Sequence, residues 1–189
     1  LVDAGYDVLG IDISSDMVAL ARQRVPEATF RTGSFLDVNL PRCAAITAVG
    51  ECFNYIFDRR NRLSALRGLF RKIYCALLPG GILVFDVAQP SITPVSDRRF
   101  WTGPDWACPV EFKKDRQRNL LTRHMTTFRK VGQHYRRGGE THIQRLYEGR
   151  QLADDLKRFG FHVRVLKGYG RFQLPQGRVA LLARKPADS

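Results

Sequence analysis

Short apolar runs alternate with amphipathic stretches along the first 88 residues. Three residues that can cap the N-terminus of a helix, Ser14, Ser15 and Asp16, stand before a stretch that Pro26 ends, which predicts a first helix. Residues 59–78 place apolar side chains at spacings of three and four, which predicts a second helix, and LPGG (78–81) predicts a turn at its end. The compact runs predict strands: 6–13 (YDVLGIDI), 28–35 (ATFRTGSF), 44–50 (AAITAVG) and 82–87 (ILVFDV). Strands that alternate with helices predict a mostly parallel sheet flanked by helices.

The pattern changes after residue 88. Residues 89–106 (QPSITPVSDRRFWTGPDW) are rich in proline and polar side chains, which predicts a loop or lid. Residues 107–147 alternate polar and apolar positions around two turn-like segments, RQRN and KVGQ, which predicts a small antiparallel insertion of about three strands. A helix over 149–160, ended by Gly160, and two strands over 162–169 and 177–185 are predicted to close the chain.

Composition limits the kinds of protein this chain can be. The 189 residues are 44% hydrophobic, enough for the core of one domain. No apolar run approaches the roughly 18 residues of a membrane span, and no leader-like segment opens the chain, so we expect a cytoplasmic location and no membrane partner. The four cysteines form no CxxC pair and no zinc-like spacing with histidine, so we expect no metal site.

The chain is strongly basic. It contains 31 Lys and Arg against 18 Asp and Glu, a formal net charge of +13. A balance of this kind suggests an anionic substrate or a nucleic acid, or else only a solvated basic surface. No recognisable RNA-binding signature is present, which favours the solvated surface or a small anionic ligand over nucleic acid.

Four segments, in order, carry a resemblance to a known family. They are an acid-ended strand with its helix (VLGIDISSDMVALAR), TGSFLDVNLP, AAITAVGECFNYIFD, and LLPGGILVFDV. Each is weak alone, but together and at this spacing the chain resembles the class I S-adenosylmethionine-dependent methyltransferases. The family implies a Rossmann-like sheet with an antiparallel C-terminal strand pair. It also implies one domain over 1–189, with a cofactor-binding half (1–88), a lid and insertion (89–148) and a closing helix and strand pair (149–189).

One part of the family pattern is not found in this sequence. The family's first strand and its glycine-rich loop have no counterpart, and the opening residues LVDAG resemble the end of the helix that follows them. Since the family's first strand lies in mid-sheet, two apolar strands would otherwise expose unpaired edges. We expect residues upstream of Leu1 in the full protein, with a true truncation as the alternative.

The resemblance implies S-adenosylmethionine as cofactor and suggests which residues bind it. Asp12, at the end of a strand, would accept hydrogen bonds from the ribose hydroxyls, and Ile13 would lie against the adenine. Ser34 and Phe35 fall where the family contacts the adenine edge and ring. Gly50 would lie beside the methionine part. The alternatives are a helix-capping role for Asp12, core packing for Ile13 and an ordinary turn for Ser34.

The acceptor side of the site is predicted from the fourth-strand loop and the insertion. His142 is the first candidate for a catalytic base and Glu51 is a second catalytic candidate; a structural histidine and a surface salt bridge are the alternatives. Arg145 could bind an anionic group. Phe100, Trp101 and Trp106 would close over the site or pack under a loop. The other candidates for substrate binding are Tyr55, His124, Tyr135, Arg136 and Tyr147.

These features predict methyl transfer to a small-molecule acceptor. Three alternatives stay open: a non-catalytic binding module on a methyltransferase scaffold, an RNA methyltransferase, and a nicotinamide-dependent oxidoreductase. The segment GECFNY stands where amino-group methyltransferases of DNA carry NPPY-like residues, which argues against that subclass. The acceptor and the oligomeric state cannot be predicted from fold-level resemblance.

Overall fold

The structure is a computed structural model that describes residues 1–90 and 96–187. Residues 91–95, which belong to the predicted lid, and residues 188–189 lie outside the described part. The chain divides into two compact units, 1–41 and 42–189. The division into one domain with three functional segments therefore stays a prediction.

The first unit is a strand–helix–strand element. Strands β1 (Leu9–Asp12) and β2 (Thr29–Thr32) pair in parallel, with Asp12 opposite Thr32. Helix α1 (Ser15–Arg24) lies between the two strands in the chain. A short 3-10 turn, Val2–Ala4, precedes β1. The Ser14 hydroxyl accepts a hydrogen bond from the Met17 amide at 3.3 Å, so Ser14 is the N-cap among the three candidates.

The described residues of the second unit form two α-helices and ten strands. The helices are α2 (Leu63–Ala76) and α3 (Gly149–Arg158). The strands are β3 (Cys43–Ala48), β4 (Leu77–Ala88), β5 (Ser96–Gly103), β6 (Trp106–Asp115), β7 (Leu120–Val131), β8 (His134–Arg145), β9 (His162–Leu166), β10 (Gly168–Tyr169), β11 (Phe172–Gln173) and β12 (Arg178–Arg184).

A four-stranded sheet in the order β3-β4-β12-β9 forms the centre of this unit. Strands β3 and β4 are parallel, whereas β12 is antiparallel to both of its neighbours, as predicted for the closing strand pair. Helix α2 buries Leu66, Phe70 and Ile73, and the Phe70 ring lies 5.7 Å from that of Phe85 on β4. No helix in the described ranges is long and apolar enough to cross a membrane.

The LPGG segment differs from its prediction. We expected a turn between helix and strand, but residues 78–81 are part of β4 and form an irregularity within it. The pairing of β4 with β3 passes from Cys43–Leu77 to Ala45–Ile82. Gly80 has φ 77°, and its amide donates to the carbonyl of Pro186, so the segment hydrogen-bonds to the chain beyond β12 instead of standing free as a turn.

The insertion is a four-stranded antiparallel sheet, β5-β6-β7-β8, and not three strands. The extra strand, β5, covers part of the predicted loop or lid, because Ser96–Gly103 hydrogen-bonds along β6. Its polar side chains and the prolines around it obscured a strand at the edge of a sheet. Phe100 is 73% exposed, and Trp101 and Trp106 are also exposed, so these rings do not pack beneath a loop in the described residues.

Candidate active site

The turn after β3 has an unusual backbone. Gly50 and Glu51 both have positive φ, 92° and 62°, and Glu51 is one of two non-glycine residues with positive φ in the described chain. Asp86, near the end of β4, accepts hydrogen bonds from both amides, at 2.9 Å from Gly50 and 2.6 Å from Glu51. The Tyr169 hydroxyl donates to the same carboxylate at 2.8 Å. Asp86 is only 2% exposed, so three donors fix a buried anion at this turn.

The Glu51 side chain enters a second buried group of charges. Its Oε2 accepts from Arg123 Nη2 and from Gln144 Nε2, each at 2.6 Å, and Arg178 contacts Oε1. Glu51 is 1% exposed. The carboxylate therefore faces cations from β7 and β12 and an amide from β8. This setting differs from that predicted for a catalytic Glu51, because the ion pairs hold its oxygens inside the protein.

Two asparagines hold the loop after this turn, one by bonds to other strands and one by bonds within the loop. Asn54 Nδ2 donates to the carbonyls of Ala88 and Arg145, at 2.9 and 2.6 Å, and its Oδ1 accepts from the Ala88 amide. Asn61 Nδ2 donates to the carbonyls of Phe53 and Tyr55 at 2.8 Å. Asn54 thus joins the end of β4 to the end of β8, which places the insertion sheet against the loop.

His142 lies in an aromatic setting at this junction. The rings of Tyr55 and Phe57 stack at 5.3 Å, and the His142 ring meets both edge-on, at 5.7 and 5.2 Å. Its Nε2 lies 3.0 Å from Glu140 Oε2. When Nε2 carries the proton and donates it to this carboxylate, Nδ1 keeps a lone pair and can accept a proton.

Tyr55 also connects this group to the buried charges. Arg123 Nη1 donates to the Tyr55 hydroxyl at 3.1 Å, while the same guanidinium holds Glu51. Burial raises the pKa of Tyr55, against the opposing effect of Arg123, so the phenol stays protonated in neutral solution. The predicted site residues Glu51, Tyr55 and His142 therefore lie in one connected arrangement.

Arg145 and Tyr147 place two further donors in the interior. The Tyr147 hydroxyl and Arg145 Nε are buried, and neither has a hydrogen-bond partner among the described residues. Burial raises the pKa of Tyr147 to about 12, although the nearby charge of Arg145 acts in the opposite direction. Substrate binding by Arg145 and Tyr147 stays a prediction, because both donor atoms are buried in the described residues.

The structure separates two predicted substrate residues from this arrangement. His124 directly follows Arg123 in β7, so the alternation of a strand turns it to the opposite face of the sheet, where its Nδ1 lies 3.1 Å from Thr141 Oγ1. Tyr135 lies at the other end of β8 from His142, roughly 23 Å away at about 3.3 Å per residue. Arg136 is exposed in the same distal region.

The predicted cofactor residues of the first unit have simple local contacts. Asp12 is exposed at the end of β1, and its Oδ1 accepts from the Ser14 amide at 2.8 Å. Ile13 is exposed. Ser34 Oγ accepts from the Leu36 amide at 3.2 Å, and Phe35 is half-buried in the same turn. The contact of Ser34 agrees with the turn alternative, whereas Ser14 and not Asp12 caps helix α1. Cofactor binding by the four residues stays a prediction.

The sequence interpretation missed most partners in the buried groups. Asp86 had a detectable signal, because a lone acid within the apolar run ILVFDV needs partners if the strand is buried. Arg123 and Arg178 had none, since they are two of many basic residues. The other missed residues are Asn54, Asn61, Gln144 and Tyr169.

Comparison with known proteins gives a consistent result. Residues 1–85 match the family described as a methyltransferase domain. The protein named Putative methyltransferase YqeM, from Bacillus subtilis (strain 168), is 25% identical over 173 residues, which cover 86% of this chain and 68% of that protein.

Solved structures share the fold. An S-adenosylmethionine-dependent methyltransferase from Clostridium acetobutylicum ATCC 824 has a TM-score of 0.80 at 18% identity, with 96% of this chain and 76% of that one covered. The sugar N-methyltransferase KedS8 from Streptoalloteichus sp ATCC 53650 has a TM-score of 0.73 at 14% identity, with 94% and 70% covered. The predicted Rossmann-like fold is therefore confirmed.

Proposed function

We propose that this chain is a class I S-adenosylmethionine-dependent methyltransferase and that it methylates an amine on a small molecule. The family match and the fold support the first part of the proposal. S-adenosylmethionine is the cofactor of this class. The observation that carries the choice of acceptor is the His142–Glu140 pair set against the stacked rings of Tyr55 and Phe57.

The residues present fit the cofactor. In the first unit, Asp12 is exposed at a strand end, where its carboxylate would accept from the ribose hydroxyls, with Ile13, Ser34 and Phe35 for the adenine. In the second unit, Gly50 would lie beside the methionine part, because, apart from Gly50 and its two chain neighbours, no described residue has an atom within 4 Å of where a Cβ would stand. The bound cofactor supplies an already activated methyl group, so the protein mainly contributes alignment.

His142 would prepare the acceptor. A typical alkyl amine is protonated in neutral solution and becomes nucleophilic only after it loses that proton. Nδ1 of His142 accepts the proton, and the Glu140 carboxylate at Nε2 stabilises the imidazolium that results. The neutral amine would then take the methyl group that bound S-adenosylmethionine supplies, with a new nitrogen–carbon bond in place of the sulfur–carbon bond and S-adenosylhomocysteine as the second product.

The surrounding side chains favour a small cationic acceptor. Phe57 is 53% exposed, and its ring stacked on Tyr55 gives a face on which an ammonium group or a sugar ring can rest. The similar structure named as a sugar N-methyltransferase supports an amine on a small molecule.

A methyl-transfer assay tests the proposal. Labelled S-adenosylmethionine is offered with three groups of acceptor: amino sugars and other small amines, small phenols and alcohols, and oligoribonucleotides. We expect label on the amines. Transfer only to hydroxyl compounds or only to RNA would overturn the amine assignment, and failure to bind S-adenosylhomocysteine would overturn the methyltransferase proposal itself.

Replacement of His142 tests its role as the base. His142→Gln should lower kcat by about 10²-fold or more, because the proton acceptor is lost while the cofactor residues are unchanged. His162→Gln is the matched control, since His162 is exposed on β9 of the central sheet. Equal kcat values for the two variants would remove His142 from the mechanism.

A further inference from the structure

We infer that Asp86 and Tyr169 are positioning residues of the methyl-transfer site. They hold the Gly50–Glu51 turn in the one backbone conformation against which the methionine part of the cofactor can bind. The inference rests on the proposed function, because it concerns how that site is prepared and which residues prepare it.

The turn needs support from outside itself. A glutamate with φ 62° lies in a region that side chains other than glycine, asparagine and aspartate rarely adopt, so the conformation persists only where the surroundings determine it. Both amides of the turn donate to one carboxylate, at 2.9 and 2.6 Å. These two bonds fix the direction of successive peptide groups.

A carboxylate is the side chain that this position requires. Three donors converge on Asp86: the amides of Gly50 and Glu51 and the hydroxyl of Tyr169. Oδ1 accepts one and Oδ2 accepts two, so both oxygens must be acceptors. An asparagine would turn an NH₂ group toward one of these donors and lose that hydrogen bond.

Tyr169 fixes the carboxylate in turn. It belongs to the short hairpin of β10 and β11, in which Gly168 lies so close to Phe172 that a Cβ would overlap the Phe172 carbonyl oxygen. The hairpin therefore presents the phenol from a constrained backbone. Burial and the bond to Asp86 raise the pKa of Tyr169, which keeps the hydroxyl a donor.

The two sides of the turn show what this support serves. The Glu51 side chain points into the buried charges of Arg123 and Arg178, while the space beside Gly50 is open. Arg123 and Arg178 already anchor the side chain. The bonds from Asp86 act on the backbone and so determine the shape of the open side, where Gly50 is exposed.

Binding of S-adenosylhomocysteine, measured by calorimetry, tests the inference. Asp86→Asn should weaken the affinity by about tenfold or more, since a charged hydrogen bond to the turn is lost. Tyr169→Phe, which leaves both amide bonds in place, should weaken it by about threefold to tenfold. Asp155→Asn is the control, because Asp155 of α3 is about as buried as Asp86 and pairs with Arg67 of α2 at 2.9 Å. This variant should have a lower melting temperature and an unchanged affinity.

Each outcome decides a different point. If wild-type protein binds and both test variants bind within twofold of it, the inference is overturned and the proposed function stands. If the control loses affinity as much as Asp86→Asn, the effect is general destabilisation and the inference is again overturned. Should Asp86→Asn not fold, Tyr169→Phe decides alone. A folded wild-type protein that does not bind would overturn the proposed function and the inference together.

Discussion

The Gly50–Glu51 turn and the His142 face of the insertion sheet differ in how they are held. At the turn, the buried carboxylates of Asp86 and Glu51 meet fixed donors through charged hydrogen bonds and ion pairs. At His142, one hydrogen bond to an exposed carboxylate and two ring contacts position a half-exposed side chain. Contacts of the first kind cannot be changed singly without leaving a buried charge, whereas those of the second kind can. We therefore expect substitutions at the turn to lower the stability of the protein strongly and substitutions on the His142 face to lower it little.

The largest effect predicted from this comparison concerns Glu51. Glu51→Gln leaves Arg123 and Arg178 beside a neutral amide in the interior, so the free energy of unfolding should fall by about 3–5 kcal/mol. Glu140→Gln changes the same functional group on the exposed side of His142 and should cost less than about 1 kcal/mol. Urea unfolding of both variants gives the two values.

A similar loss in both variants would contradict the comparison. It would mean that the His142–Glu140 pair is held as firmly as the buried charges. If instead only Glu51→Gln is destabilised, addition of Arg123→Met should recover part of the loss, because one of the uncompensated cations is then removed.

Helices and strands were predictable from the sequence where the apolar residues followed a single periodicity. Helix α2 and strand β1 came from local patterns, and the cap at Ser14 came from one side chain. Strand β5 was missed because its first four residues are polar and prolines precede and follow it, so nothing local distinguished an edge strand from a loop.

The candidate site was predictable only in part. His142 and Tyr55 could be named from residue type and position, and the structure brings them together. The setting of Glu51 could not, because its partners come from β7, β8 and β12, and one arginine among many carries no sign of pairing. His124 was grouped with His142 by residue type. The residue opposite His142 is Arg123, and His124 is the next residue along β7, so its side chain lies on the other face of the sheet.

The buried Tyr147 hydroxyl predicts a loss of stability at high pH. Its pKa is raised to about 12, above roughly 10 in an unfolded chain, so the folded state keeps a proton that the unfolded state has lost. The resulting stabilisation is complete below about pH 10 and disappears as pH rises through about 12. Wild-type protein should therefore lose up to about 3 kcal/mol more than Tyr147→Phe between these pH values.

At pH 8 the same variant tests whether the buried Tyr147 hydroxyl has a hydrogen-bond partner in solution. Because the Tyr147 hydroxyl is buried without a partner among the described residues, its removal should leave the free energy of unfolding unchanged or raise it by up to about 1 kcal/mol. A fall of more than about 1 kcal/mol at pH 8 would show that the hydroxyl is satisfied in solution. Denaturant unfolding at pH 8, 10 and 12 measures both effects.

The smallest effect lies far from either region, on the distal half of the insertion. Arg129 and Arg136 stand directly opposite each other on β7 and β8, and both are exposed. Like charges in this position repel, so Arg136→Glu should raise the free energy of unfolding by about 0.2–1 kcal/mol by converting repulsion into attraction. Thermal unfolding at low and high salt would show the gain and its screening.

Arg137→Glu is the matched control for that gain. It makes the same change in net charge on the neighbouring residue, but Arg137 stands opposite Phe128. If both variants gain equally, the cause is the lower net charge of a chain that carries +13, and not the cross-strand pair. A gain confined to Arg136→Glu would assign it to the pair. It would also show that this part of the insertion can be altered without cost, in contrast to the buried turn at Glu51.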